Sequence, residues 1–339
     1  SPDLPGGPTW PGGMAVHADG SLHVVFGRHA HRLDPDTSLV ASRRLPVERP
    51  YNSFVTLPDG HLVTKPFGGP AAPAVTRQDP VGPAELLVLE PVGLEIVDRL
   101  VLPEPSVARL SASGDDVYVV GDTALHRARW DGGRLVLDEG LAATYRSLAG
   151  QTFGWDAVIG TDAAWFLDDG AGTEGYAGTL RGCGRSQVPL HLVRVDLASG
   201  AVDLHEVSGL PGGIVANPPA LDEDRGVVVA YDSGNGRVVA FDIGDAAAPG
   251  GSRVVGVRWA RDLDHGSHPL VFGESGEILL GDHDPATGEH AVLVDLATGE
   301  EAARVATGSP VQSVLFPAAG FARDAYLVSF TTLTRVFVA

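Results

Sequence analysis

The stretch Ser267–Gly308, SHPLVFGESGEILLGDHDPATGEHAVLVDLATGEEAARVATG, decides how the rest of the chain is read. Four strand-length runs, His268–Phe272, Glu277–Gly281, His290–Leu296 and Glu300–Ala306, are separated by Glu274-Ser-Gly, Asp284-Pro-Ala-Thr-Gly and Ala297-Thr-Gly. Apolar runs bounded by Gly, Pro and Asp are strand and turn chemistry. Four short antiparallel strands followed by a return to a new copy describe one blade of a β-propeller.

The copies recur along the chain. A strand, a turn closed by glycine and a second strand appear in Met14–Val25, Phe54–Thr64, Leu110–Val120, Ala157–Phe166, Pro219–Ala230, Leu270–Leu280 and Val314–Ser329. Repeats at intervals of about 40 to 60 residues mean a propeller rather than separate domains. With no helical periodicity of useful length, the chain reads as one all-β domain over residues 1–339, a propeller of seven four-stranded blades. The last copy offers three clear strands, so the N-terminal segment before Met14 is expected to supply the fourth and close the last blade.

Of the 339 residues 43 are acidic and 24 basic, a formal net charge of −19, and Lys65 is the single lysine. A surface this acidic repels phosphate backbones and attracts cations, so nucleic acid is not an expected partner. No apolar run approaches the roughly 18 residues of a membrane span, and no basic segment with an apolar core precedes the first blade. The lone Cys183 excludes an intrachain disulfide and a thiolate metal cluster, which fits a reducing, cytoplasmic setting and a soluble protein.

Propeller topology places the start of each innermost strand and the loop between strands two and three on the same face. Counting back eight residues from the turn glycines puts Gly12, Asn52, Ser106, His268 and Gln312 at that starting position; the fourth and fifth blades lack this spacing, and their matching positions are Asp156 and Asn217. A polar ring among strands of Val, Leu, Ile and Ala marks a site. Two long insertions between strands two and three, Phe67–Glu85 and Asp168–Val188, belong to the same face, and loops of that length act as lids or binding loops. They bring Arg77, Tyr176, Arg181, Cys183 and Arg185 toward the ring. The segment Leu141–Thr152, expected to hold a short helical turn, adds Tyr145, Arg146 and Gln151.

The amide and carboxylate oxygens of Asn52, Asp156 and Asn217 suit a hard cation such as Ca²⁺ or another divalent ion. His268, beside Asp262, Asp264 and His265, is the candidate for proton transfer together with Asp156. Asn52, Gln312, Trp155, Tyr145, Arg146 and Tyr176 are the candidate contacts to a small-molecule substrate. Asp232, Asp282 and Asp284 read as turn formers. No Gly-x-Ser-x-Gly elbow and no phosphate-binding glycine loop occurs.

The segment Asp232-Ser-Gly-Asn-Gly-Arg-Val-Val-Ala-Phe-Asp, the Asp-Gly-x-Leu turns at Asp19 and Asp59, and the Asn, Asp, Asn ring resemble the calcium-dependent propellers of the gluconolactonase, paraoxonase and strictosidine-synthase-like groups. That resemblance implies metal-assisted lactone or ester hydrolysis at the channel mouth, with the cation on Asn52, Asp156 and Asn217 and water activated by His268. Those hydrolases also use a glutamate from an early blade, where this chain has Gly12 and Asn52. The repeats are equally similar to general repeat propellers. The alternatives are a metal-independent cyclase or lyase using His and Asp, or a non-catalytic propeller that binds a ligand or partner.

Overall fold

The computed structural model describes residues 11–68, 82–245, 247, 251–314, 317–320, 323–329 and 331–338. The chain divides into two compact units, Ser1–Tyr145 and Arg146–Ala339. Each is a run of antiparallel meanders, in which every strand pairs with the next in sequence. Together they give seven sheets with almost no helix, the fold of a seven-bladed β-propeller.

The first unit holds three four-stranded sheets. Blade one comprises β1 (Pro11–Val16), β2 (Leu22–Phe26), β3 (His29–Leu33) and β4 (Leu39–Arg44). Blade two comprises β5 (Val55–Thr56), β6 (Leu62–Thr64), β7 (Glu85–Leu89) and β8 (Ile96–Val101). Blade three comprises β9 (Leu110–Ser113), β10 (Asp116–Val120), β11 (Ala124–Trp130) and β12 (Leu135–Thr144). Period-two alternation sends successive side chains of the middle strands to opposite faces. Leu62, Leu87 and Leu89 accordingly join the core with Val25 and Ala30, whereas Val63, Leu86 and Val88 join the core with Val117 and Val119. Burial on both faces is why these strands read as unbroken apolar runs. The turns follow from their Asp-Gly pairs: Gly60, at φ 93°, donates to Leu57 O at 2.9 Å, and the Asp59 carboxylate accepts from His61 N at 3.1 Å.

The second unit holds the other four sheets. Blade four comprises β13 (Val158–Ile159), β14 (Ala163–Leu167), β15 (His191–Asp196) and β16 (Val202–Glu206). Blade five comprises β17 (Ala220–Asp222), β18 (Val227–Asp232), β19 (Arg237–Ile243) and β20 (Val254–Asp262). Blade six comprises β21 (Leu270–Phe272), β22 (Glu277–Asp284), β23 (Gly288–Asp295) and β24 (Glu301–Ala306). Blade seven shows three strands among the described residues, β25 (Ala318–Ala319), β26 (Asp324–Val328) and β27 (Leu333–Phe337). The expected closing segment before β1 lies outside the described residues, as does most of the Phe67–Glu85 insertion, Arg77 included.

The expected helical turn in Leu141–Thr152 is not formed. Its first residues continue β12, and Arg146–Gln151 form a turn in which the Gln151 side chain accepts from Ser147 N at 2.8 Å and Leu148 N at 3.0 Å. No helix among the described residues is long and apolar enough to cross a membrane.

Candidate functional site

In the first unit, the ring residues are occupied by their own neighbours. Asn52 is buried, donates through Nδ2 to Val107 O at 2.9 Å, and has the Lys65 ammonium 3.5 Å from its Oδ1. Lys65, fully buried just after β6, also donates to Ser106 O at 2.9 Å. A divalent cation on Asn52 would meet a like charge inside the protein, where repulsion is strongly felt. Tyr145 is wholly buried, and its hydroxyl donates to Gly121 O at 2.7 Å, closing blade three.

In the second unit, Gln312, Tyr176 and the loop 168–188 are joined by hydrogen bonds. Gln312 is a clamp, since its Oε1 accepts from Leu180 N at 2.6 Å while its Nε2 donates to Asp264 O at 2.9 Å. The Tyr176 hydroxyl donates to Gln312 O. Burial, with the charge of Glu289, pushes that phenol upward and keeps it neutral. Arg181 makes a two-pronged ion pair with Asp264, Gly182 N donates to Gly234 O at 3.1 Å, and Gly212 N donates to Ser186 O at 2.9 Å. The loop is therefore a fastened cover reaching from blade four to blades five, six and seven.

Asn217 Nδ2 donates to Gly266 O at 2.8 Å and Val314 O at 3.2 Å, while its buried Oδ1 has no hydrogen-bond partner among the described residues. His268 is half-buried, and its charge helps push the neighbouring His265 down to about 3, an effect dominated by the complete burial of that ring. His265 is thus a neutral loop stabiliser whose Nδ1 accepts from Gly281 N at 2.7 Å. Asp156 and Trp155 are buried before β13, and Trp155 N donates to Leu167 O at 3.1 Å. Arg146 is exposed and donates from Nε to Gln151 O at 2.7 Å, so it braces the turn.

Two perturbed carboxyls lie one strand end away, at Asp168 and Asp169. Asp168, fully buried, accepts from Gln151 Nε2 at 2.7 Å, from His191 N at 2.6 Å and from His191 Nδ1 at 2.9 Å. Burial pushes the Asp168 carboxyl upward against those bonds. Burial also disfavours the His191 imidazolium, but the Asp168 hydrogen bond and charge, aided by Asp169 and Glu206, outweigh it and raise His191.

Asp169 is also wholly buried, and its backbone stands at φ 61°, a left-handed conformation costing a non-glycine residue about 1 kcal/mol. Its Oδ1 accepts from Thr152 N at 3.0 Å, while Oδ2 makes no hydrogen bond among the described residues. Burial first, and the Asp168 charge second, push this carboxyl up to about 7 against the help of Ser186 and Thr152. Gly170 follows because an added Cβ there would stand 2.5 Å from Trp155 Nε1. Two adjacent carboxyls and an imidazole, one acid held protonated near neutrality, form an arrangement able to transfer protons. Counting from turn glycines misses it; the signal available was an Asp-Asp pair ending strand two and a histidine opening strand three.

The implied metal does not fit the residues proposed to hold it. The Asn52 oxygen faces the Lys65 ammonium, which disfavours a cation there. We derive no step through a metal.

No family profile matches the chain, and no curated protein matches it. Solved structures do. The chain is similar to BamB from Moraxella catarrhalis at 14% identity, covering 96% of this chain and 81% of that one with a TM-score of 0.61. It is similar to the β-propeller domain of Swd1 from Myceliophthora thermophila at 8% identity, covering 98% and 97% with a TM-score of 0.62. Virginiamycin B lyase from Staphylococcus aureus follows at 10% identity, covering 97% and 94% with a TM-score of 0.59. Likenesses this remote establish the propeller fold, and these propellers are of other kinds than the calcium-dependent hydrolases.

Proposed function

We propose that the protein acts on a small organic molecule beneath the loop 168–188, by metal-independent acid–base chemistry of the lyase or cyclase type. The observation that carries this reading is Asp169, a buried carboxyl in a left-handed backbone conformation with one oxygen that makes no hydrogen bond among the described residues. Strain and an unsatisfied buried polar atom are costs that persist where function requires them. Asp169 Oδ2 is the acid that donates a proton to a carbonyl or leaving oxygen. The Asp168–His191 pair, oriented by Gln151, keeps a charged neighbour beside it and sets its proton affinity. Trp155 and Thr152 line the approach.

The fastening of the loop favours a second reading, recognition without turnover. Both are tested by screening lactones and β-elimination substrates for thermal stabilisation of the wild type and Asp169→Asn, with product analysis of every hit. Turnover abolished in Asp169→Asn with binding retained supports the enzyme. Binding with no product from either protein supports recognition alone, and turnover surviving in Asp169→Asn overturns the role of Asp169.

A further inference from the structure

We infer that the loop 168–188 is a gate latched by the Arg181–Asp264 ion pair, and that Asp169 meets solvent when the latch releases. The purpose of the gate rests on the reading of Asp169 as the reacting acid; its existence does not. Asp169 stands at the start of the loop with no exposed surface, and Ser186, near the other end, helps stabilise its charged form. While the loop is closed, no substrate can touch this carboxyl.

The loop has little apolar anchorage. From Thr173 to Arg185, Leu180 is the one buried residue with a side chain among the described residues. Segments with few buried apolar contacts open at low cost, and lids are drawn from them. The arms instead meet through glycine: an added Cβ at Gly172 would strike Cys183 O, and one at Gly184 would strike Gly212 O. Gly172, at φ 116°, also holds a backbone conformation that a side chain would resist, which suits it to a hinge.

Of the fastenings described above, Arg181–Asp264 alone pairs opposite charges, and two-pronged guanidinium–carboxylate pairs are stronger than neutral hydrogen bonds. Its partners are unequally placed: the Arg181 side chain is 54% exposed and that of Asp264 9%. Asp264 is a fixed post, since its N–H donates to Asp282 Oδ1 at 2.9 Å and its carbonyl accepts from Gln312 Nε2. Arg181 is the moving part. Gly236 lies beneath the pair, where an added Cβ would strike both Arg181 and Asp264 Oδ1, so blade five leaves room for the latch.

Cys183, the single cysteine of the chain, lies in this loop with Sγ 3.4 Å from Thr179 O, so its alkylation by iodoacetamide in the native protein reports opening. Arg181→Gln should be labelled about fivefold faster, the worth of a partly exposed ion pair. Loss of a nearby cation would by itself raise the thiol and slow the reaction, so acceleration reads opening. The Thr152 amide, which donates to Asp169 Oδ1, should exchange with solvent faster in parallel. Arg237→Gln, which breaks the neighbouring pair with Asp262, should change neither. Unchanged labelling in Arg181→Gln overturns the latch, and faster labelling with Thr152 still protected overturns the gate. Equal acceleration in Arg237→Gln overturns both. None of these readouts involves turnover, so they hold or fail independently of Asp169 as the acid.

Discussion

Blades four and five end their second strands on aspartates that do opposite work. Asp232 in blade five accepts five hydrogen bonds: from Ile214 N at 3.2 Å, Gly234 N at 3.0 Å, Asn235 N at 3.1 Å, Asn235 Nδ2 at 2.8 Å and Ser208 Oγ at 2.6 Å. It is a buried carboxyl fully supplied with backbone and side-chain donors, three of the five coming from the short turn Asp232-Ser-Gly-Asn-Gly. In blade four the chain instead departs into a long loop. Asp168 draws on a histidine and a glutamine, and Asp169 is left strained, protonated near neutrality and half-satisfied. The same strand end thus serves as a turn cap in one blade and a proton-holding site in the next. Donor supply, not residue type, separates them.

The largest effect expected from breaking this contrast comes from His191→Gln, which leaves Asp168 buried without its imidazolium. Breaking such a pair costs about 3 to 5 kcal/mol, read as a fall in melting temperature and denaturation midpoint. Nearly as large is the pH dependence carried by Asp169. A carboxyl whose folded pKa exceeds its unfolded value holds an extra proton in the native state. That stabilisation is complete below the unfolded value near 4 and disappears as pH rises through about 7. At most about 4 kcal/mol is involved, from about 1.4 kcal/mol per pH unit. The wild type should therefore lose stability between pH 4 and 7 relative to Asp169→Asn, as measured by denaturant titration across that range; parallel curves would refute the raised pKa. His191, also raised, contributes stability that is complete below its unfolded value near 6.5 and is lost at higher pH as it gives up its proton.

Asp232→Asn should cost less, about 1 to 2 kcal/mol, because the amide oxygen can still accept while its NH₂ group meets the donors of Ser208 and Asn235. The smallest effect belongs to Gln312→Ala, about 1 kcal/mol. It should appear as faster amide exchange at Leu180, with blade five unchanged.

The fold was legible because the repeat advertises itself: glycine-closed turns between apolar runs can be counted without knowing a single contact. Tyr176 and Gln312, both named from the sequence, do meet. Side-chain direction was not legible. Gln312 looked like a substrate contact and is a clamp on Leu180 and Asp264, because an amide with both a donor and an acceptor serves two strands at once. Tyr145 is near the right face in sequence, yet its hydroxyl turns inward to a backbone carbonyl. Lys65 bears on the metal ligand set, since nothing in its spacing announces that a buried ammonium will reach the Asn52 oxygen. Asp169 was hidden because Asp-Asp before a glycine-rich loop looks like any turn former. Only the backbone angle and the missing donor distinguish it.

The most direct test is a carbon-13 NMR titration of the aspartate carboxyls, with the Asp169 resonance assigned by its loss in Asp169→Asn. A midpoint of about 7 is predicted. A midpoint in the ordinary aspartate range near 4 would contradict it, and would leave Asp169 a strained turn residue with no proton to give.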